Sequence, residues 1–367
     1  MKYEIAQLSE QVLEARANYR PVLIQGGNTK SFYGNTYQRS GEGEEVMSLD
    51  MRCLKGIVNY EPTELVMTAM AGTPLQEIID TLDASGQMLA FDPPSFGSHA
   101  TLGGCVASGL SGPGRLAGGP LKDYILGSHL LDVQGRVLKF GGEVMKNVAG
   151  YDVSRMLAGS MGMFGAILQV SVKVAPKPIL TCTLEWECSE SESLSMCHGM
   201  RAYPLPVSAS AWEAVGVSGC LRIRLAGAPA AIDTARKKLG GQLVAEAEAT
   251  LYWQDLREQR LAFFATPQLW RVAVAPGTPA LNLGPTLIEW GGGQRWIAAD
   301  VEPVLIRQVA EQAQGHATLF RMGAGKTPPE QGVFHPLTPA ITTIVRRLKQ
   351  EFDPMGVFNP GRLVAGI

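Results

Sequence analysis

Three glycine-rich runs in the first half of the chain carry the residue types that could bind an anion. They are "QGGNTKS" (25–31), "HATLGGCVASG" (99–109) and "GSMGMFGAI" (159–167). Successive small residues can turn several main-chain N–H groups toward one anion, and glycine allows the backbone to approach a ligand closely. Each run alone is as consistent with an ordinary turn. Three runs in one region predict one large ligand that touches several loops.

Two familiar phosphate-binding motifs are excluded, one by the elements expected around it and the other by its spacing. "GPGRLA" (112–117) fits G-x-G-x-x-A, but no strand precedes it and no evident helix follows, as a Rossmann site requires. "GAGKT" (323–327) ends like a phosphate loop, yet Phe320 stands where the first glycine of that motif belongs. The glycine-dense stretch 103–123 is then either a flexible linker or a wall against a flat or phosphorylated ligand.

The cysteines and histidines do not have metal-site spacing. No C-x-x-C pair occurs, and no two histidines stand at i,i+2 or i,i+4. We therefore expect no iron–sulfur cluster, no zinc site and no disulfide framework in this chain.

Composition and charge place the chain among ordinary globular proteins. Its 367 residues are 46% hydrophobic and 18% charged, with a net charge of −2, and this length favours two domains. A nucleic-acid binder would need a basic surface. No apolar run is long enough to cross a bilayer, and "MKYEIAQLSEQVLEARA" predicts an amphipathic helix, not a signal peptide. We expect a cytoplasmic protein.

Short apolar runs and glycine turns alternate in the first half. Thr73 is expected to cap a helix that ends near Gly86, and a further helix is expected from about Tyr151 to Leu157. The expected strands begin near residue 21 and cover 65–72, 127–133, 136–140 and 165–176.

The second half has a different rhythm. Its first elements predict β-α-β-β-α-β, the ferredoxin-like order, with strands at 181–188, 208–215, 219–226 and 242–247 and helices at 191–203 and 229–239. A related set is expected after it, with helices at 251–264 and 302–313, strands at 269–275, 285–290, 294–299 and 316–321, and a last helix at 338–352.

Four stretches together resemble the vanillyl-alcohol-oxidase type, also called PCMH-type, of FAD-binding domain. They are "PVLIQGGNTKSFYG", "FDPPSFGSHATLGGCVASGLSGPGRLAGGPLKDYILG", "VMKNVAGYDVSRMLAGSMGMFGAI" and the terminal "FDPMGVFNPGRL". Within that superfamily the chain is most similar to the FAD-binding subunit of bacterial glycolate oxidase, as "IEWGGGQRWI" and "GHATLFRMG" also indicate.

The resemblance implies an α+β fold in three segments. A two-part PCMH-type FAD-binding domain would cover residues 1–177, and a ferredoxin-like α+β substrate or cap domain residues 178–335. The C-terminal helix and tail, residues 336–367, would return to the FAD domain.

The resemblance also implies a set of FAD-binding residues. The first loop would hold the pyrophosphate, the second run the ribityl chain and the flavin ring, and the third the adenosine half. The implied residues are Gly26, Gly27, Asn28, Thr29, Lys30, Thr101, Leu102, Gly103, Gly104, Ser108, Gly109, Gly112, Gly162, Gly165, Ile167 and Asn359.

Two departures from the superfamily matter. Members with covalently bound flavin often carry histidine directly after the Gly-Gly of the first loop, where this chain has Asn28, so we expect non-covalent FAD. The larger flavoprotein subunits and D-lactate dehydrogenases carry a histidine-containing, metal-associated motif in the substrate domain, which nothing in this chain matches. That difference puts in doubt whether the chain oxidises substrate alone.

Oxidation of a 2-hydroxy acid needs a base for the hydroxyl proton and a cation for the carboxylate. Arg295 and Arg321 are candidates for the cation, since arginine binds a carboxylate through two parallel hydrogen bonds, and His316 is a candidate base. Structural roles stay open for all three: ion pairs or a partner contact for the arginines, a surface position for the histidine. Arg115 could contact phosphate or cap a loop.

The family implies FAD-dependent oxidation of glycolate or D-lactate, with electrons passed to a second flavoprotein subunit and an iron–sulfur subunit. A second hypothesis is an FAD-containing scaffold without its own substrate oxidation. A third is a stand-alone reductase of the cell-wall enolpyruvyl type, which "KNVAGYD" and "NPGRL" fit less well. Any membrane association would come through the partner subunits.

Overall fold

A five-stranded antiparallel sheet forms the centre of the first half of the chain. The computed structural model describes residues 2–37, 45–142, 152–215 and 218–367. The elements of the first half are α1 (Lys2–Ala17), β1 (Val22–Gln25), β2 (Met47–Asp50), β3 (Ile57–Glu61), β4 (Val66–Met70), α2 (Leu75–Ala84), β5 (Gln87–Met88), α3 (Leu102–Ser108), α4 (Arg115–Gly118), β6 (Ile125–Leu131), β7 (Val137–Gly141), α5 (Val153–Met156), β8 (Ala166–Lys173) and β9 (Ala175–Pro176).

The strand order β3-β4-β8-β6-β7 leaves β4 and β8 inside this sheet, and a separate parallel pair, β1 and β2, lies beside it. Every residue of β4 is buried, because both faces of the strand are covered. Met67 and Ala69 join the core that α2 covers, while Met70 joins the core beneath α1. This alternation follows from the two-residue period of a strand.

An eight-stranded sheet dominates the second half, in the order β13-β10-β12-β11-β15-β16-β14-β17. Its elements are β10 (Leu180–Glu187), α6 (Glu190–Met200), β11 (Val207–Val215), β12 (Ser218–Gly227), α7 (Pro229–Leu239), β13 (Gln242–Leu243), α8 (Glu246–Arg257), β14 (Leu269–Ala273), β15 (Thr286–Glu289), β16 (Gln294–Ile297), α9 (Pro303–Gln312), β17 (His316–Arg321) and, beyond the sheet, α10 (Pro339–Phe352).

This sheet confirms the ferredoxin-like order and extends it. The strands β10 to β13 follow β-α-β-β-α-β, and β14 to β17 repeat the same strand order with a loop in place of the first helix. Pairing of β11 with β15 joins the two sets into one sheet. The predicted α+β class is therefore correct, and the segment boundaries at 177 and 335 stay predictions.

The C-terminal tail lies against the first half. The Val22 N–H donates to Val357 O at 2.8 Å, and the Asn359 N–H donates to Val22 O at 2.9 Å. The side chain of Lys349 donates to Met163 O and Phe358 O and pairs with Asp353 at 2.7 Å. These contacts tie α10 and the tail to β1 and to the loop before β8.

Several local predictions differ from the structure. The helix expected at 251–264 is α8, Glu246–Arg257, which begins earlier because "EAEA" (246–249) consists of good helix formers. Thr73 does not cap α2, since its hydroxyl bonds the main chain of Gly56 instead. The run at 99–109, expected as a loop, contains α3, and "GPGRLA" does contain a short helix, α4.

Of the helix expected at 151–157, the structure has α5, and "KNVAGYD" (146–152) lies almost wholly outside the described residues. Among the helices that the structure describes, none combines the length and apolar character needed to span a bilayer.

Candidate functional site

A cavity of about 430 Å³ lies where all three glycine-rich runs and the C-terminal tail meet. This volume is in the range of small-molecule and cofactor sites. Most of the predicted FAD-binding residues line it: Gly26, Gly27, Asn28, Thr29, Lys30, Thr101, Gly103, Gly104, Ser108, Gly162, Gly165, Ile167 and Asn359. The cavity thus brings together residues that are distant in sequence.

The first loop forms one end of this cavity with its main chain. Asn28 has a positive φ of 56°, so the loop reverses sharply after β1. The main-chain N–H groups of residues 27–30 donate to no acceptor in the part of the chain that the structure describes. A run of free N–H groups in such a turn is a concave anion-binding surface.

Glycine is required at Gly27 by a neighbouring loop. A Cβ there would lie 1.5 Å from the carbonyl oxygen of His99, which is main chain and cannot move aside cheaply. At Gly103 a Cβ would lie 2.7 Å from the Cβ of Ala71. The glycines therefore first allow the main chains of adjacent loops to pass closely, and this packing positions the cavity wall.

Three predicted residues do not line this cavity. Leu102 is 1% exposed and belongs to the core, because α3 turns its side chain inward. Gly109 ends α3 with a φ of +64° and lies against Gly159. Gly112 lies against Asp92 O and lines a second, smaller cavity.

The tail residue Asn359 links three segments at the cavity. Its Oδ1 accepts from Ile24 N at 2.9 Å, and its Nδ2 donates to Met161 O at 2.6 Å. Both amide atoms are therefore engaged by the protein main chain. Arg362 donates to the carbonyl oxygens of Ser31, Tyr33 and Asn35, which fixes the segment after the first loop.

A second cavity, which we call the cleft, lies between the segment after α3 and the eight-stranded sheet. Its lining residues are Pro94, Phe96, Leu110, Ser111, Gly112, Pro113, Leu256, Arg257, Gln259, Arg271, Glu289, Gln294, Trp296 and Phe320. The space left among them is about 20 Å³, which is roughly one water molecule. A larger ligand enters only when lining side chains move. Because residues 107–108 line the large cavity and 110–113 the cleft, the two spaces adjoin through one segment.

Glu289 is the buried carboxylate of the cleft. Its Oε2 accepts from Trp296 Nε1 at 2.5 Å and from Gln294 Nε2 at 2.8 Å. Burial raises the pKa of Glu289 to about 7, against the lowering effects of these bonds and of the nearby charge on Arg271. A carboxyl group with this pKa can both accept and release a proton near neutral pH.

Arg271 supplies positive charge to the same cleft. Its Nε donates to Gln294 Oε1 at 2.7 Å. The guanidinium also interacts with the hydroxyl of Tyr33, whose pKa is raised mainly by burial. Arg115 lies over the ring of Trp290 at 4.3 Å, and Arg271 lies 5.3 Å from the same ring centre. In this structure Arg115 stacks on an indole, and a phosphate contact by Arg115 stays a prediction.

The three predicted catalytic residues line neither cavity. Arg295 is fully buried on the face of β16 opposite to Gln294 and Trp296. Its Nη2 donates to Thr278 O at 2.8 Å, its Nε and Nη1 have no partner among the described residues, and burial lowers its pKa to about 10. The structure thus places Arg295 behind the sheet, away from the cleft.

Arg321 and His316 lie at the two ends of the edge strand β17. Arg321 donates to Phe264 O at 2.8 Å and to Gln259 Oε1 at 2.9 Å, so its guanidinium is engaged at the rim of the cleft. The His316 ring lies 6.4 Å from that of His335. The structure does not bring these two residues together with Arg295.

Sequence reasoning missed Glu289, Gln294 and Arg271. "IEWGGGQRWI" contains the first two, but arginine is the usual ligand of a carboxylate, and the arginine of this stretch, Arg295, lies on the opposite face of the strand. Alternation along β16 already separates Arg295 from Gln294 and Trp296. Nothing local in the sequence shows that Arg271, on β14, joins them.

In the described ranges, no three histidine, cysteine, aspartate or glutamate side chains are grouped so that they could hold a metal ion.

Comparisons with known proteins agree with this geometry. The model of the FAD binding domain family matches residues 4–141. The glycolate oxidase subunit GlcE of Escherichia coli (strain K12) is 43% identical over 360 residues, covering 98% of this chain and 97% of that protein. The glycolate oxidase subunit GlcD of Bacillus subtilis (strain 168) is 27% identical over 173 residues, 47% of this chain and 36% of that protein.

Among solved structures, alkyldihydroxyacetonephosphate synthase superposes with a TM-score of 0.68 over 97% of this chain and 75% of that chain. Its sequence identity of 15% shows a shared fold alone. The cofactor implied by the family model is FAD. The chain is an oxidoreductase-family flavoprotein, and it belongs to the family of the glycolate oxidase subunit GlcE.

Proposed function

We propose that the chain is the FAD-binding subunit of a glycolate-oxidising complex and that it oxidises glycolate itself, with D-lactate as a possible second substrate. The observation that carries this proposal is the adjacency of the two cavities along one short segment: residues 107–108 line the large cavity and residues 110–113 line the cleft. A cofactor ring held in the first cavity near Ser108 would thus adjoin a small polar space in the cleft.

FAD fits the residues of the large cavity. The unpartnered N–H groups of residues 27–30 suit a pyrophosphate, which requires several donors at once. The remaining lining is largely small and apolar, including Gly162, Gly165 and Ile167, as a flat ring and an adenosine group require. Asn28 in the first loop offers no imidazole nitrogen for a covalent bond, which supports non-covalent binding.

The chain's own residues divide the remaining work. Bound FAD would supply the acceptor for the two electrons and the Cα hydrogen of the substrate. Loop residues 26–30, α3 and the 161–167 segment hold and orient the cofactor. Residues of the eight-stranded sheet hold the substrate and exclude water, which strengthens electrostatic contacts in the cleft.

Partner subunits follow from the same proposal. The relative with 43% identity is named as one subunit of glycolate oxidase, and the GlcD relative as another. The scattered cysteines of this chain include no C-x-x-C spacing for an iron–sulfur cluster. We therefore propose that electrons leave through a second flavoprotein subunit and a separate iron–sulfur subunit, and that any membrane association is made by those partners.

A second candidate is a flavoprotein scaffold that completes the assembly without oxidising substrate. The narrowness of the cleft, about 20 Å³, favours it, since even a two-carbon acid requires side chains to move. Both candidates bind FAD, so substrate-dependent reduction of the flavin separates them.

The test is an anaerobic absorbance titration of the purified full chain loaded with FAD. We expect glycolate to bleach the visible flavin band, and D-lactate to bleach it more slowly. Dithionite added to a parallel sample controls for a flavin that can be reduced but receives no substrate electrons. An unchanged band with both acids would favour the scaffold, and failure to bind FAD would overturn the proposal altogether.

A further inference from the structure

We propose that Glu289 accepts the hydroxyl proton of the substrate and that Arg271 binds its carboxylate. This inference rests on the proposed function and names the residues of the cleft that would perform it. It assigns to β14 and β15 the roles that the sequence suggested for β16 and β17.

The two side chains lie on one face of three neighbouring strands, in adjacent cross-strand rows. Glu289 on β15 lies opposite Gln294 on β16, and Arg271 on β14 lies opposite Trp296 on β16. All four line the cleft. Because all four belong to strands of one sheet, their positions are fixed by strand register and not by loop conformation.

Hydrogen bonds hold Glu289 so that one oxygen is left for a ligand. Both of its donors, Trp296 Nε1 and Gln294 Nε2, reach Oε2. Within the described residues, Oε1 accepts no hydrogen bond. It is also not one of the fully buried polar atoms without a partner, so Oε1 is accessible in the cleft. We therefore assign Oε1 as the atom that meets the substrate hydroxyl.

Arg271 is likewise fixed through one nitrogen, which leaves its terminal nitrogens for a ligand. Its Nε donates to Gln294 Oε1, and Gln294 in turn donates to Glu289, so one amide fixes the orientation of both charged groups. Across the described residues, no carboxylate lies within ion-pair distance of Arg271. The terminal nitrogens of Arg271, next to the Tyr33 hydroxyl, can therefore bind a substrate carboxylate through a pair of charge-assisted hydrogen bonds.

The proposed chemistry balances with the acceptor already named. The substrate O–H bond breaks and its proton passes to Glu289 Oε1. Bound FAD would accept the Cα hydrogen together with the electron pair of the Cα–H bond, so that the C–O bond would become C=O. The product is the 2-oxo acid, and Glu289 is left protonated until it returns its proton to solvent.

The surroundings of Glu289 bring its ionisation into the neutral pH range. The charged and titratable groups near it are Arg271 on β14, Asp92, which pairs with Arg257 of the cleft wall, and Tyr252 on α8. Burial raises the pKa of Glu289 to about 7 and Asp92 raises it further, while Arg271 lowers it. Flavin reduction should therefore accelerate as the pH rises through about 7 and then level off.

Glu289→Gln tests the proton acceptor in the FAD-loaded full chain. We expect anaerobic flavin reduction by glycolate to slow at least about 100-fold and to lose its pH dependence near 7. Glu289→Asp should restore part of the rate, because a shorter carboxylate still accepts a proton. The matched control is Glu213→Gln, a half-buried carboxylate on β11 that pairs with Arg222 and lines neither cavity.

Arg271→Gln tests the carboxylate contact without any cofactor. Trp290 and Trp296 stand beside the cleft, so their fluorescence can report glycolate binding to the FAD-free chain. We expect the dissociation constant for glycolate to rise about 10- to 100-fold in Arg271→Gln and less in Arg271→Lys. Glu213→Gln, which lines neither cavity, should bind glycolate as the unaltered chain does.

The outcomes separate this inference from the proposed function. If glycolate reduces the flavin in the unaltered chain but Glu289→Gln and Glu289→Asp keep its rate and pH profile, the inference is overturned and the function stands. Unchanged glycolate affinity in Arg271→Gln would likewise overturn the assignment of Arg271. If glycolate does not reduce the flavin of the unaltered chain, and no variant changes the tryptophan fluorescence response to glycolate, the inference and the proposed function fail together.

Discussion

The large cavity and the cleft are adjacent, but the first is lined mostly by main chain and the second by side chains. The cavity wall is mostly main chain, supplied by short glycine-rich runs whose residues are neighbours in sequence. The cleft is made of side chains from β14, β15, β16 and α8, which become neighbours only through sheet register. A main-chain site can be recognised from local motifs, whereas a side-chain site on a sheet depends on non-local pairing.

The C-terminal tail differs from the rest of the cavity wall, because it is distant in sequence and a buried ion pair holds it at the cavity. Lys349 Nζ donates to Met163 O, Phe358 O and Asp353, and the Asp353 carboxylate accepts from the N–H groups of Val357 and Phe358. Burial lowers the pKa of Lys349, while Asp353 raises it.

Lys349→Met is expected to have the largest effect on stability, because it leaves the buried carboxylate of Asp353 without its cation. We expect the free energy of unfolding to fall by about 3–5 kcal/mol, and FAD affinity to fall with it as Asn359 loses its position. Chemical denaturation and FAD titration measure the two effects. Arg347→Met, at an exposed position of the same helix, should change the unfolding free energy by less than about 0.5 kcal/mol. Equal stability of the two variants would show that the tail does not depend on this ion pair.

Gly27→Ala tests whether the cavity is set by main-chain contact. The new Cβ would meet the His99 carbonyl oxygen at 1.5 Å, so one of the two loops must shift. We expect a loss of about 1–3 kcal/mol in unfolding free energy and a marked loss of FAD affinity, measured by denaturation and by flavin fluorescence. Gly199→Ala is the matched control, since nothing lies within 4 Å of its Cβ position in α6, and it should be neutral or stabilising. Unaltered FAD binding in Gly27→Ala would mean that loop spacing does not shape the site.

More of the fold and of the large cavity than of the cleft could be predicted from the sequence. Strand alternation and helix punctuation identified the ferredoxin-like set, because those signals are local. Motif resemblance singled out the first loop, Thr101, Gly162 and Asn359, and these residues line one cavity. Leu102 was misplaced because the helical nature of 102–108 was not recognised, and a helix turns every third or fourth side chain inward.

The cleft could not be read in the same way. Choosing an arginine near a glycine turn selected Arg295, although the residue on each side of it faces the cleft. The contribution of Arg271 depends on β14 pairing with β16, which are separated by β15 and two loops in sequence. Physical reasoning from one sequence fixes which residues share a strand face, but not which strands become neighbours.

Arg295→Met is expected to have the smallest effect on function, and for that reason it separates the two faces of the sheet. Arg295 stands in the chain between Gln294 and Trp296, which both line the cleft. Its guanidinium, however, lies on the other face of the sheet, near Glu190 and Cys197. Since two of its nitrogens have no partner among the described residues, replacing it by an apolar side chain of similar length should leave stability within about 1 kcal/mol or increase it. Glycolate affinity, measured by tryptophan fluorescence, should stay within about twofold of the unaltered chain, whereas Arg271→Gln weakens it by at least about tenfold. If Arg295→Met instead weakens glycolate binding as strongly as Arg271→Gln, the acid is held from behind the sheet and the assignment of the cleft as the substrate site is wrong.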